Sequence, residues 1–249
     1  MVFNAKKCYM MHIDRSTSQP VHFYTLCGTV LSAVANEKYL GVYIQQDLKW
    51  TLQVDQVRAA ASRKLGFLRR NLRGAPRECK KLAYISLVRS SMEYACTIWD
   101  PHYSGESLKL ERIQKRAARW IYSKYSRDVK SDDLVADLKW QTLEERRRAL
   151  RLALLYKINK EDIAVPMKEV DLVFSSRPIR YTKANRRKNI DSKNTVANKQ
   201  KLNKCGWSTD EYRYSYSLRT ATQWNELPNS TVEADSEALF RSLLLPSSP

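Results

Sequence analysis

The residues able to do chemistry are few and scattered. Three histidines (His12, His22 and His102) lie far apart, with no H-E-x-x-H pair and no pattern of a nucleophile triad around them. Each reads as a surface or sheet-edge side chain. Glycine-rich phosphate loops are absent from the sequence. Asp132-Asp133 is the acidic pair to weigh as a metal site. Two-metal chemistry needs carboxylates held rigidly so that the ions sit about 3.5–4 Å apart. This pair instead follows Lys130-Ser131 and precedes a helical pattern, so the expected role is capping. No metal and no cofactor are expected. Five cysteines (Cys8, Cys27, Cys79, Cys96 and Cys205) form no C-x-x-C pair, which favours reduced thiols in an intracellular protein, nuclear or cytoplasmic.

What remains is charge. The chain carries 44 Lys+Arg against 26 Asp+Glu in 249 residues, a net charge of +18. Such an excess calls for a polyanion, nucleic acid before an anionic membrane surface. A hydrophobic share of 43% rules out a wholly disordered chain, and no run approaches the roughly 18 apolar residues of a membrane span.

The positive charge must be carried by particular elements. Residues 1–49 mix aromatic and β-branched residues between Ser, Asn and Pro breaks, which predicts three or four strands of a small antiparallel sheet, read as the end of a larger sheet domain. From Trp50 the period becomes helical. Val54, Val57, Ala61, Leu65, Leu68 and Leu72 form one stripe, and no acid interrupts Arg58, Arg63, Arg69, Arg70 and Arg73. A second helix, about Arg77 to Trp99, is apolar around so much of its girth that it is expected to be the central, most buried one. A third, about Glu106 to Tyr125, turns Leu110, Ile113, Ala117, Trp120 and Ile121 inward and leaves Arg112, Lys115, Arg116 and Arg119 outside. Thr142-Leu143-Glu144-Glu145 is a capping box opening a fourth.

The expected fold is therefore α+β and predominantly α. A sheet remnant (1–49) precedes a helical bundle (50–162), a basic irregular segment (163–211) and a C-terminal extension (212–249). Within the irregular segment, Lys183 to Lys204 holds eight Lys/Arg and one acid, and reads equally as an RNA-binding stretch or a soluble loop. In the extension, Tyr214, Leu218, Trp224, Leu227, Phe240, Leu243 and Leu244 are the expected anchors.

Several short motifs recur in a recognisable order: Phe3-Asn4-Ala5-Lys6-Lys7-Cys8, Lys38-Tyr39-Leu40-Gly41-Val42, Leu48-Lys49-Trp50 and Leu65-Gly66-Phe67-Leu68-Arg69-Arg70-Asn71-Leu72. Glu93-Tyr94-Ala95, Trp99-Asp100-Pro101-His102, Ile113-Gln114-Lys115-Arg116-Ala117-Ala118-Arg119, Leu138-Lys139-Trp140 and Trp224-Asn225-Glu226-Leu227-Pro228 continue it. Together they resemble the downstream part of a non-LTR retrotransposon reverse transcriptase, of the jockey and chicken-repeat class of LINE elements. The resemblance implies that Phe3–Cys8 ends the palm, with Lys7 matching a lysine proposed to protonate the leaving pyrophosphate. It implies that the Tyr39-Leu40-Gly41 hairpin is the primer grip, and that the helices after Trp50 are a thumb tracking template–primer phosphates.

The catalytic aspartates of that family lie upstream of Phe3 and are not among these residues, so magnesium would belong to that palm and polymerisation by this chain alone is not expected. Lys7 then reads as an exposed strand lysine. Gln53 stands where relatives usually have a histidine. The expected nucleic-acid contacts are Lys38, Tyr39, Gly41, Arg58, Arg63, Arg69, Arg70, Arg73, Arg112, Lys115, Arg116 and Arg119, with Gly41 equally readable as a turn requirement. Trp99, Trp120, Trp140 and Trp224 read as packing anchors. If the basic helices make roughly six phosphate contacts, affinity for duplex falls with salt at a log–log slope near −5. The alternative is a basic helical module that binds an acidic protein or a separate polymerase half.

Overall fold

The computed structural model describes residues 4–13, 22–172, 200–202 and 209–245, and it is mostly helical with small two-stranded sheets. Most of the Lys183–Lys204 stretch, together with Phe3 and Cys205, lies outside the described residues. The chain divides into two compact units: 1–95 with 99–113, and 96–98 with 114–249. All three cuts, after 95, 98 and 113, fall inside the stretch 50–162.

In the first unit the strands β1 (Tyr9–Met10), β2 (Thr25–Leu26), β3 (Thr29–Val30), β4 (Ser32–Ala33), β5 (Asn36–Tyr39) and β6 (Val42–Gln45) make three separate pairs. The expected single antiparallel sheet is corrected on two points. The strands do not merge, and β1 pairs with β4 in parallel, Tyr9 opposite Ser32. The other two pairs are hairpins closed by two residues with positive φ, Cys27-Gly28 and Leu40-Gly41. That is the type I′ geometry whose twist matches the flanking strands. Ala5–Lys7 forms a 3₁₀ turn, so Lys7 is exposed as expected but not on a strand.

Helix α1 (Thr51–Asn71) buries Val54, Ala61, Leu65 and Leu68, the stripe its three-and-four spacing dictates. It packs on β6 and on the helix that follows. That second helix is not one regular rod to Trp99. It runs as α2 (Arg77–Ala83), a wider π-type stretch Tyr84–Arg89 and α3 (Ser90–Glu93), then breaks where Ala95 turns left-handed at φ 50°. The break precedes a single turn, α4 (Cys96–Trp99). Nor is it buried all round: Tyr84, Val88 and Met92 are in the core, whereas Leu82 is 67% exposed.

The helix α5 (Ser104–Tyr122) contributes its residues up to Ile113 to the first unit and the rest to the second. Leu110, Ile113, Ala117, Trp120 and Ile121 are all buried. A short α6 (Ser131–Asp137) follows in the second unit, then α7 (Leu143–Asn159). Helix α7 is the deeply buried helix of the second unit, closing over Leu152, Leu155 and Tyr156 and even Arg147 and Arg151. Its capping box is present in full, with Thr142 Oγ1 accepting from Glu145 N and Glu145 Oε2 accepting from Thr142 N. Beyond it, helices Tyr216–Asn225 and Glu237–Leu244 pack on α7, and Trp224 and Phe240 complete a core with Tyr156. Leu218 and Leu227 are buried anchors as expected, but Tyr214 and Leu243 are exposed. Leu243 sits on the outward side of Glu237–Leu244, whose other face buries Phe240, whereas Tyr214 caps a single turn, Asp210–Arg213, that buries no residue.

Candidate nucleic-acid interface

Each unit carries its own basic surface. In the first unit it is built from the β5–β6 hairpin and α1. Lys38 stands opposite Tyr43 in the hairpin register, with its Nζ 5.5 Å from the Tyr43 ring. At the tip Tyr39 is 67% and Leu40 75% exposed, an unusual amount of apolar side chain offered to solvent by one turn. Leu40 also has φ 46°, a region that costs a non-glycine residue strain.

The tip is held from below. The Tyr94 hydroxyl donates to the Leu40 carbonyl at 2.9 Å, and the backbone carbonyl of Tyr94 accepts from the buried Trp99 indole at 2.8 Å. Gly41 has φ 88°, and a Cβ there would stand 3.2 Å from the Tyr94 ring. Both the conformation and the space are reserved for glycine, so the turn requirement at Gly41 is present in the structure.

The hairpin is also locked to α1 by an exchange of glutamines. Gln53 Oε1 accepts from Tyr43 N at 2.9 Å, and Gln45 Oε1 accepts from Leu52 N at 2.9 Å. The second bond satisfies one of the amide donors that a helix start leaves open. Gln53 is buried, and its side-chain carbonyl is spent on the hairpin backbone.

Along α1, Arg58, Arg63, Arg69 and Arg70 are exposed, as is Arg73 just beyond its end. Arg58 lies 3.5 Å from Asp55, which Lys109 also engages at 3.1 Å. Two carboxylates, Glu106 and Asp55, hold the Lys109 ammonium above its ordinary range, against a smaller opposing effect of burial. Arg112 is exposed on the part of α5 that belongs to this unit.

In the second unit, the remainder of α5 carries Lys115, Arg116 and Arg119. Arg116 is exposed. Lys115 pairs with Asp132 at 2.6 Å. Arg119 turns its guanidinium onto the loop that follows, donating to the Ser126 carbonyl at 2.9 Å and the Val129 carbonyl at 2.8 Å. Of these two expected phosphate contacts, Lys115 stands in a partly exposed ion pair and Arg119 spans two loop carbonyls. Helical spacing puts both on the outer face, but it does not reveal that the chain folds back over that face.

Asp132 and Asp133 lie exposed in the first turn of α6, with Lys130 at its N-cap and no side-chain cap bond. The capping role is corrected to favourable charge at a helix start, reinforced by Lys115. Among the described residues no group of three or more His, Cys, Asp or Glu side chains could hold a metal ion, and no helix is long and apolar enough to cross a membrane. Trp99, Trp120, Trp140 and Trp224 are buried, as packing anchors should be.

Compared with known proteins, the chain matches no family model, no curated protein and no solved structure.

Sequence reasoning missed Tyr94, Leu40, Gln45 and Gln53 as determinants of the hairpin. The one local signal was the Leu-Gly pair between two aromatic runs, which marks a tight turn.

Proposed function

We propose that this chain is the gripping portion of a non-LTR retrotransposon reverse transcriptase, and that it binds template–primer duplex through backbone phosphates without reading sequence. The observation that carries this reading is the uninterrupted basic face of α1, with Arg63, Arg69 and Arg70 exposed and no acid between Gln56 and Arg77. A face that is merely solvated ordinarily mixes signs. The exposed hairpin tip, fixed on α1 by Gln45 and Gln53, supports the reading, because a surface that follows a duplex needs a rigid reference point beside its cationic helix.

Phosphate contacts position the nucleic acid, and the tip offers Tyr39 and Leu40 as apolar contacts for a sugar or base at the strand end. The test is binding of a labelled random-sequence RNA–DNA duplex, challenged with unlabelled duplex and with polyglutamate. Displacement by duplex at stoichiometric excess supports the reading. No binding of the labelled duplex, together with binding of labelled polyglutamate, favours the rival, a module for an acidic protein.

A further inference from the structure

The loop 123–130 in the second unit is built as a fixed seat. Two bonds from Arg119 fix its two sides, a planar fork spanning the carbonyls of Ser126 and Val129. Within it Ser126 Oγ donates to Asp128 Oδ2 at 2.8 Å, so the loop's one carboxylate is tied to Ser126 in its own turn beside three cations. At its start Lys124 N bonds back to Arg119 O at 3.0 Å, and Ser123 takes a left-handed φ of 54°. What this scaffold presents is Tyr125, 55% exposed, flanked by the exposed Lys124, Arg127 and Lys130. Lys124 Nζ also lies 5.9 Å from the Tyr122 ring.

An exposed aromatic ring on an ordered loop, with cations on both sides, is the combination by which proteins hold unpaired nucleotides: bases stack on the ring and phosphates meet the cations. An acidic peptide would meet the cations alone, whereas a nucleotide also offers a base to the exposed ring. We propose that loop 123–130 binds single-stranded nucleic acid, stacking a base on Tyr125, with Lys124, Arg127 and Lys130 on the adjoining phosphates and Arg119 as the positioning residue. The inference rests on the nucleic-acid reading above but names a different substrate, an unpaired strand rather than a duplex.

The test uses the full chain, a labelled oligo(dT) of about 12 nucleotides, inside the ~4–16-nucleotide footprint of single-strand binders, and a labelled random-sequence duplex. Tyr125→Ala should weaken oligo(dT) binding about tenfold and leave duplex binding unchanged, while Tyr125→Phe keeps wild-type affinity for both. Arg119→Lys keeps the charge but cannot hold two carbonyls in one plane, so it should also weaken oligo(dT) binding. Wild-type oligo(dT) affinity in Tyr125→Ala would overturn the proposal, and so would an equal loss for both ligands. A wild-type chain that binds duplex but not oligo(dT) overturns this seat and leaves the duplex reading intact. Binding of neither ligand overturns both.

Discussion

The Tyr94 hydroxyl reaches back 54 positions in sequence to the carbonyl of Leu40, and its ring stands where a side chain on Gly41 would be. One residue thereby supplies the hydrogen bond that holds a strained turn and the surface that a side chain at position 41 would press against. Tyr94 is itself fixed by the Trp99 indole on its carbonyl, immediately before the left-handed Ala95 that ends the helix. The helix break and the hairpin tip are thus two ends of one arrangement.

Gly41→Ala should lower stability by about 1 kcal/mol or more, because it adds both positive-φ strain and a contact with the Tyr94 ring. Gly74→Ala is the matched control, since its Cβ would meet nothing within 4 Å and its φ lies outside the left-handed range. Urea denaturation of the two variants measures the difference. Equal effects would contradict the account of the turn.

Tyr94→Phe keeps the ring and removes the bond to Leu40. A loss of about 0.5–1.5 kcal/mol is expected from one hydrogen bond, reduced by solvent at this exposed site. The specific signature is faster amide exchange in the β5–β6 hairpin, with exchange in the core of α7 unchanged.

Thr142→Ala removes the acceptor for Glu145 N and should cost about 1 kcal/mol. Thr142→Asn, which can still cap, should recover most of it. Thermal unfolding compares the pair.

Burial raises the pKa of the Tyr156 phenol above its ordinary value of about 10, and the nearby Asp162, Asp235 and Glu237 raise it further. The unfolded chain therefore loses this proton at a lower pH than the folded one. The resulting stability is fully present below about pH 10 and is lost as pH rises towards the folded value. Tyr156→Phe should be less stable at neutral pH, having given up the bond to the Ala234 carbonyl, and should show a shallower alkaline limb. Denaturant midpoints from pH 8 to about 11 decide it. A limb of unchanged slope would contradict the assignment.

What could be read from the residues was what depends on near neighbours. The α1 stripe follows from steps of three and four, and the Thr142–Glu145 capping box is a motif within one turn. The burial of Trp99, Trp120, Trp140 and Trp224 follows from their size and setting. What could not be read depends on partners far along the chain. Nothing in Glu93-Tyr94-Ala95 marks a helix end, because neither glycine nor proline stands there. The many apolar residues of the second helix predict the central, most buried one, yet Leu82 and Leu87 face out and α7, which carries two buried arginines, is the deeply buried helix of the second unit. Lys115 and Arg119 lie on the predicted outer face of their helix, where they meet Asp132 of α6 and the returning loop while Arg116 stays exposed.

In the proposed reading, the cationic surface of the first unit that meets a duplex is centred on α1. Arg63, Arg69, Arg70 and Arg73 offer about four contacts, for which duplex DNA affinity should fall with salt at a log–log slope of about −3.6. The measurement that tests the central claim most directly is this slope, in wild type and in Arg63→Gln/Arg70→Gln. The account predicts a linear fall for wild type and a slope shallower by about 1.8 in the double variant. A flat wild-type response, or a double variant that keeps the wild-type slope, would contradict it.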